Sequence, residues 1–454
     1  MEINFSCPNC RVELLIPTEY AGIKVKCPTC ELKFIAPNHQ PQRQAPADSE
    51  FLPPPPPGEQ GITTCPACWL KFSRGEVMHI AVHDSLRGDP ILGEEAPQRF
   101  LATRYDDAGN ALDAMGLPAT DYACPHCRRK LPPNFLELPQ HIISLVGDAS
   151  SGKSYYLAVL AKVLPAALFK AFDVTMQDAD PTGNAALNSM KTTLFSGAGP
   201  EQTRLIKTQM QGAMYDRFPR HGRMVLLPKP FTYELKPRGD IPGAGLIFYD
   251  NAGEHFQPGV NVVDNPGAQH VASAAGIMYL VDPFEIPDFR RFLGETTDPG
   301  IKKPPGDRQE VILSEIRTRV GAIQRLRPNQ KIKAPIAVIL GKCDAWLHLM
   351  PHISLAKPVQ NNSFNFDALR ENSDMVRDLL RQICPGIVAN AEALSESVCY
   401  FPMSSFGHTP VSYSGKDGAN GSATPDPKQL KPVLVEVPPI WLLSQLAPLI
   451  VPTS

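Results

Sequence analysis

The eight residues Gly147-Asp148-Ala149-Ser150-Ser151-Gly152-Lys153-Ser154 constrain this chain more than any other part of it. They fit GxxxxGKS/T, follow the apolar run Ile-Ile-Ser-Leu-Val, and precede a segment of helical periodicity. Two glycines at this spacing let the backbone curl so that successive N–H groups converge on phosphate oxygens, and the start of a helix adds partial positive charge. In such a loop Lys153 neutralises the β- and γ-phosphates, while the Ser154 hydroxyl completes a Mg²⁺ shell. A glycine-rich turn without a ligand is the plainer alternative, and both flanks argue against it.

Around this loop, apolar strand-like runs alternate with helical patterns, which predicts an α/β fold with a mainly parallel sheet. Strands are expected at 141–146, 224–227, 231–235, 246–249, 277–281, 336–340 and 398–401, and helices at 153–170, 201–218, 308–326, 366–383 and 439–449. The long interval between Ser154 and Asp250 reads as a helical insertion at about 173–221, a natural surface for a partner.

Two further motifs bear on which nucleotide binds. Asp250-Asn251-Ala252-Gly253 closes an apolar strand: an aspartate there can hold Mg²⁺ through water, and the Gly253 N–H can meet a γ-phosphate without side-chain obstruction. Gly341-Lys342-Cys343-Asp344 ends another strand. The Asp344 carboxylate can accept from N1–H and the 2-amino group of guanine, donors that adenine lacks, while the Lys342 stem covers the base. A Lys and an Asp on a solvated turn is the alternative. Ser404-Ser405 follows the last strand and is a weaker signal of the same kind.

The order P-loop, DxxG, NKxD-like motif with Gly341 in place of Asn, then Ser-Ser resembles the translation-factor and Ras-like class of P-loop GTPases over about residues 139–410. The resemblance implies a three-layer P-loop NTPase sandwich binding GTP or GDP with Mg²⁺. Its catalytic set is Lys153, Asp250, Gly253 and Glu254, with Glu254 at the position that orients the attacking water. A carboxylate there repels the γ-phosphate unless protonated or metal-paired, so turnover should be slow. The switch threonine stays open among Thr175, Thr182, Thr192, Thr193 and Thr203. Together with the Cys pairs before the loop and the run Ala275–Pro283, the layout looks like bacterial double-GTPase families, which implies a protein partner, such as a second GTPase, in a conflict or signalling system.

Eight of the 11 cysteines fall in four Cys-x-x-Cys pairs. Cys7, Cys10, Cys27 and Cys30 have sixteen residues between the pairs, a zinc-knuckle spacing; Cys65, Cys68, Cys124 and Cys127 have fifty-five, as in a zinc ribbon carrying an inserted loop. A redox role for the first set is disfavoured because redox CxxC motifs come singly. Cys343, Cys384 and Cys399 read as small core residues. His79 and His83 would share a helix face only if that segment were helical, and read as surface residues.

Domains are therefore expected at 1–36, 62–135 and 139–454, joined by a linker at 37–61 that holds eight of the 48 prolines. Charge nearly cancels, 44 basic against 46 acidic residues, and Arg128-Arg129-Lys130 is the one basic cluster, so nucleic acid is not an expected partner. No run of about 18 consecutive apolar residues predicts a membrane span. With no secretory signal pattern and with thiols suited to a reducing compartment, a cytoplasmic location is expected. The expected function is a guanine-nucleotide switch and slow Mg²⁺-dependent GTPase. A non-hydrolysing nucleotide-binding scaffold and an ATPase are the alternatives.

Overall fold

The computed structural model describes residues 2–6, 12–17, 23–35, 62–148, 151–205, 214–220, 223–250, 267–294, 298–302, 308–327, 329–350, 355–360, 363–413 and 422–453. The chain divides into two compact units, Met1–Pro57 and Gly58–Ser454. In the first, strand Glu2–Ser6 pairs with Glu13–Pro17 and Lys24–Lys26 with Lys33–Ile35, both antiparallel. Its described core is small, with Leu14 and Cys27 buried and Val12 and Cys30 packed against them.

The second unit is built on a seven-stranded sheet. Its strands are β1 (Gln140–Gly147), β2 (Val174–Asp178), β3 (Pro230–Pro237), β4 (Ala244–Asp250), β5 (Gly276–Val281), β6 (Ile336–Leu340) and β7 (Val398–Pro402). Their spatial order is β2-β3-β4-β1-β5-β6-β7. β1 lies parallel to both β4 and β5, and β5, β6 and β7 continue in parallel, whereas β2–β3 and β3–β4 are antiparallel. Alternation sorts the central strands into two cores: Ile277, Tyr279 and Val281 of β5 face one layer, Met278 and Leu280 the other.

One layer contains α1 (Lys153–Phe172) and the C-terminal helix Val437–Leu446. α1 begins directly after Gly152, whose φ of 93° only glycine adopts cheaply, and ends where Asp173 turns left-handed and returns its N–H to Leu168 and Phe169. By length and composition α1 is apolar enough to cross a membrane, and its Tyr156, Leu157, Val159, Leu160, Leu164 and Leu168 are all buried in this core. The other layer contains helices Arg308–Gln324, Phe366–Ile383 and Pro385–Leu394. Phe366–Ile383 matches its expected bounds because its signals are local: Asn365 caps it by accepting from the Asp367 and Ala368 N–H groups, and its apolar positions recur on one face.

The described residues differ from several expectations. Within the interval 173–221, expected as a helical insertion, the described residues form β2, the helix Ala185–Ser196, and a strand at Tyr215–Arg220 that pairs with Arg223–Pro228. Of the expected helix 201–218, residues 206–213 lie outside the described residues and 215–218 belong to this hairpin, where Tyr215 and Phe218 are buried, and the expected strand 224–227 is the hairpin's other arm rather than part of the central sheet. The boundary expected between 62–135 and 139–454 is no break between compact units either. Cys65, Trp69, Phe72, Val77, Leu131 and Phe135 share one core cluster with Ile142, Ile247 and Tyr249 of the sheet, because a module of short strands cannot bury an apolar core alone.

Candidate nucleotide and metal sites

At the C-terminal end of β1 the sheet order reverses, with β4 on one side and β5 on the other, the position at which open α/β sheets bind ligands. Gly147 lies against β5 so closely that an added Cβ would stand 2.5 Å from the Leu280 carbonyl oxygen. Lys153 is 7% exposed and its Nζ donates to the Gly147 and Asp148 carbonyls at 3.0 and 2.6 Å. The ammonium is thus folded over the loop, and its N–H groups are spent on neutral carbonyls, for which an anion would compete. The Ser154 hydroxyl donates to Asp250 Oδ2 at 2.7 Å, and Asp250 is 2% exposed at the end of the neighbouring strand. Ser151 is buried in the same loop. Ala149, Ser150, Gly253 and Glu254 lie outside the described residues.

The loop after β6, which carries Lys342 and Asp344, is held by residues outside the motifs. Lys342 has a left-handed backbone, φ 53°, and its Nζ pairs with Asp282 Oδ2 at 2.7 Å while sitting 4.1 Å from the centre of the Phe284 ring. Asp282 in turn is locked: Oδ1 accepts from Phe284 N at 3.0 Å, its backbone N–H donates to Gln309 Oε1 at 2.7 Å, and Gln309 Nε2 donates back to its carbonyl at 2.9 Å. The signal for Asp282 was available, since it ends an apolar strand just as Asp250 does. Asp344 is half-buried at the start of the short helix Cys343–Trp346, and its carboxylate has no hydrogen-bond partner among the described residues. Burial holds the nearby carboxyls of Glu285 and Asp298 above the usual carboxylate range.

Ser404 and Ser405 are used internally. Ser404 bridges to Val433 through both backbone groups, and its hydroxyl accepts from Gly407 N at 2.8 Å; the Ser405 hydroxyl contacts Met403 Sδ at 3.6 Å. Among the threonines left open, Thr203 is fully buried with its hydroxyl donating to the Pro200 and Pro425 carbonyls, and Thr192 bonds back to Asn188 within its own helix.

The second constellation is Cys65, Cys68, Cys124 and Cys127, all buried, with sulfurs within 4.8 Å of one another. Cys65–Cys127 and Cys68–Cys124 sulfurs are each 3.8 Å apart. A tetrahedral zinc with Zn–S of about 2.3 Å has sulfur–sulfur edges of about 3.8 Å, so this donor set fits the ion. Burial above all pushes the Cys65 thiol up, while chiefly the contact from Cys127 holds Cys124 well down; four sulfurs this close are not all thiolate without a cation.

The two turns are alike in detail. Trp69 N–H returns to Cys65 O and Cys65 N–H reaches Leu70 O, just as Arg128 returns to Cys124 and Cys124 reaches Arg129. The same pair of bonds joins Glu31 to Cys27 and Cys27 to Leu32. Glu31, Trp69 and Arg128 are all left-handed, at φ 59°, 59° and 60°. Cys27 and Cys30 therefore stand in a knuckle of the same geometry, while Cys7 and Cys10 lie outside the described residues. His79 is on a strand, not a helix. The basic triplet is consumed within the fold: Arg128 pairs with Asp89, Arg129 with Asp216 and Lys130 with Asp121.

No protein-family model matches the sequence, and no curated protein matches it. Solved structures do show distant similarity. The Ski7 GTPase-like domain of S. cerevisiae bound to GTP is 12% identical, covering 61% of this chain and 47% of that one, with a TM-score of 0.24. The same domain bound to GDP and inorganic phosphate is 11% identical over 59% and 43%, with a TM-score of 0.24. Era in complex with MgGDPNP and a segment of 16S ribosomal RNA is 14% identical over 59% and 52%, with a TM-score of 0.21. The chain spans about half the length of these structures.

Proposed function

We propose that the second unit binds a guanine nucleotide with Mg²⁺ and acts as a slow GTPase switch that works with a protein partner, in a reducing cytosol that keeps its cysteines available as zinc thiolates. The contact between Ser154 and Asp250 carries the reading: a loop hydroxyl and a buried strand-end carboxylate meet at 2.7 Å beside a folded lysine, the arrangement a Mg²⁺·phosphate group needs. Mg²⁺ when bound would neutralise phosphate charge. Lys153 would shift its N–H groups to phosphate oxygens, Ser154 would turn its hydroxyl toward the ion, and Asp250 would hold that ion's water shell. Asp344 would accept from guanine and Lys342 would cover the base, its position maintained by Asp282 and Phe284. Glu254 would orient the attacking water. The Cys65, Cys68, Cys124 and Cys127 thiolates would hold a structural zinc, as would Cys7, Cys10, Cys27 and Cys30.

Calorimetric titration of the zinc-loaded chain with non-hydrolysable GTP and ATP analogues in Mg²⁺ tests this. The GTP analogue should bind selectively, Lys153→Ala should lose binding, and Asp344→Ala should lose the preference over ATP. A preference for ATP indifferent to Asp344 overturns the guanine assignment. Sustained phosphate release that disappears in Lys153→Ala separates an enzyme from a non-hydrolysing scaffold.

A further inference from the structure

The left-handed turn position after each of the three described Cys-x-x-Cys pairs makes no demand for an aromatic ring, since Glu31 and Arg128 occupy the same place as Trp69. What distinguishes Trp69 is where its ring goes. It is buried, edge-on to Tyr249 at 6.0 Å between centroids and 5.2 Å from His270. The Tyr249 hydroxyl, buried and kept protonated by its surroundings, donates to the carbonyl of Pro66, which lies between ligands Cys65 and Cys68.

These contacts lead straight to the phosphate site. Tyr249 is the residue before Asp250, which accepts from Ser154. His270 lies in the helix Gly267–Ser273, the next described element after Asp250, and its Nδ1 is 2.7 Å from the hydroxyl of Ser144 on β1, the strand that runs into Gly147. The second knuckle grips the hairpin that precedes β3: Arg129 pairs with Asp216 at 2.6 Å and lies 4.5 Å from the centre of the Phe218 ring. The four-cysteine module thus touches the strand that carries Asp250, the helix after it, and the hairpin before it.

We propose that this module positions the nucleotide site through Trp69 and Tyr249, so that zinc and Mg²⁺·nucleotide bind cooperatively. The inference rests on the nucleotide-binding reading above. Its physical basis is that the turn from Cys65 to Trp69 is closed by the sulfur ligands. Without the metal, the buried Tyr249 hydroxyl loses a fixed acceptor, and the strand end that carries Asp250 loses the support of the neighbouring Tyr249 ring. Any such effect is reciprocal: nucleotide must tighten zinc by the factor by which zinc tightens nucleotide.

The test uses the full chain carrying Cys27→Ser and Cys30→Ser, so that one tetrathiolate site reports. Zinc affinity is measured by equilibrium competition with a chromophoric chelator, with and without saturating Mg²⁺·GTP analogue. Analogue affinity is measured with the site zinc-loaded and metal-free. The two ratios should agree at about fivefold or more. They should fall toward one in Trp69→Ala and in Tyr249→Phe, and lie between in Trp69→Phe, at unchanged zinc stoichiometry. If Trp69→Ala fails to fold, Tyr249→Phe, which deletes a single oxygen, carries the comparison. Ratios of one in the parent with nucleotide bound overturn the coupling alone, and ratios kept by both variants overturn the assignment to these residues. Absence of nucleotide binding overturns the coupling and the functional reading together.

Discussion

Ser154 Oγ donates to Asp250 Oδ2 at 2.7 Å across ninety-six residues of chain. The bond joins the first turn of α1 to the end of β4, and both partners are oxygens suited to a hard cation. Ser154→Ala should therefore remove most of the gain in nucleotide affinity on adding Mg²⁺, a loss of at least about tenfold from one charge-assisted contact. Titrations with and without the ion measure that gain directly. An unchanged Mg²⁺ dependence would remove Ser154 from the ion's shell.

Asp282 has both carboxylate oxygens engaged, one by Lys342 and one by the Phe284 N–H. Asp282→Asn keeps the shape and an acceptor for Phe284 while removing the charge that holds Lys342. Guanine-nucleotide affinity should fall several-fold, and thermal stability should move little because Lys342 is partly exposed. Equal losses for GTP and for inorganic triphosphate would show that Lys342 is not at the base.

Gly147 and Gly152 should fail differently as alanine. At Gly147 the new methyl group meets the Leu280 carbonyl at 2.5 Å, so the strand pair must shift, at a cost of about 1–3 kcal/mol. At Gly152 nothing lies within 4 Å, and the cost is the left-handed backbone, about 1 kcal/mol. Urea denaturation of the two variants ranks them.

Metal content should be two zinc ions per chain by elemental analysis, with Cys124→Ser and Cys27→Ser each removing one. Cys124→Ser should also lower the unfolding temperature of the larger unit, since the sulfur cluster is part of its core.

Glu392 supplies a pH signature away from the nucleotide site. Its hydrogen bonds from Arg377, at 2.6 and 3.2 Å, hold its carboxyl below the usual range, aided by charge attraction and by Tyr400. A depressed folded value means that the stabilisation is complete above the unfolded value of about 4.3 and is lost as pH falls through the lower folded value. Glu392→Gln should flatten that part of the stability–pH curve and leave the slope above pH 6 unchanged.

Much of the fold was legible because its signals are local. The glycines and Lys153 lie within one octapeptide, the central strands are continuous apolar runs, and Phe366–Ile383 carries its own cap. β2 was missed because Val174–Asp178 is a short antiparallel edge strand with exposed alternate residues, and the hairpin after it because Tyr215 and Phe218, three positions apart and buried in different core layers, have the spacing of one helix face. The equivalence of the three described Cys knuckles lies in their hydrogen bonds and in the left-handed residue after the second Cys, which composition does not display.

From the sequence alone came the GxxxxGKS loop, the individual Cys-x-x-Cys pairs, and the alternation that makes a mainly parallel sheet, each set by residues within a few positions of one another or by side-chain periodicity. Only the tertiary structure decided that Asp282 holds Lys342 sixty residues on, and that Pro66 accepts from Tyr249 across 183 residues. Contacts at such separations depend on how apolar faces are shared between elements: the cysteine module is too small to close its own core, so it covers the sheet beside Asp250, and no local pattern in either segment records the other.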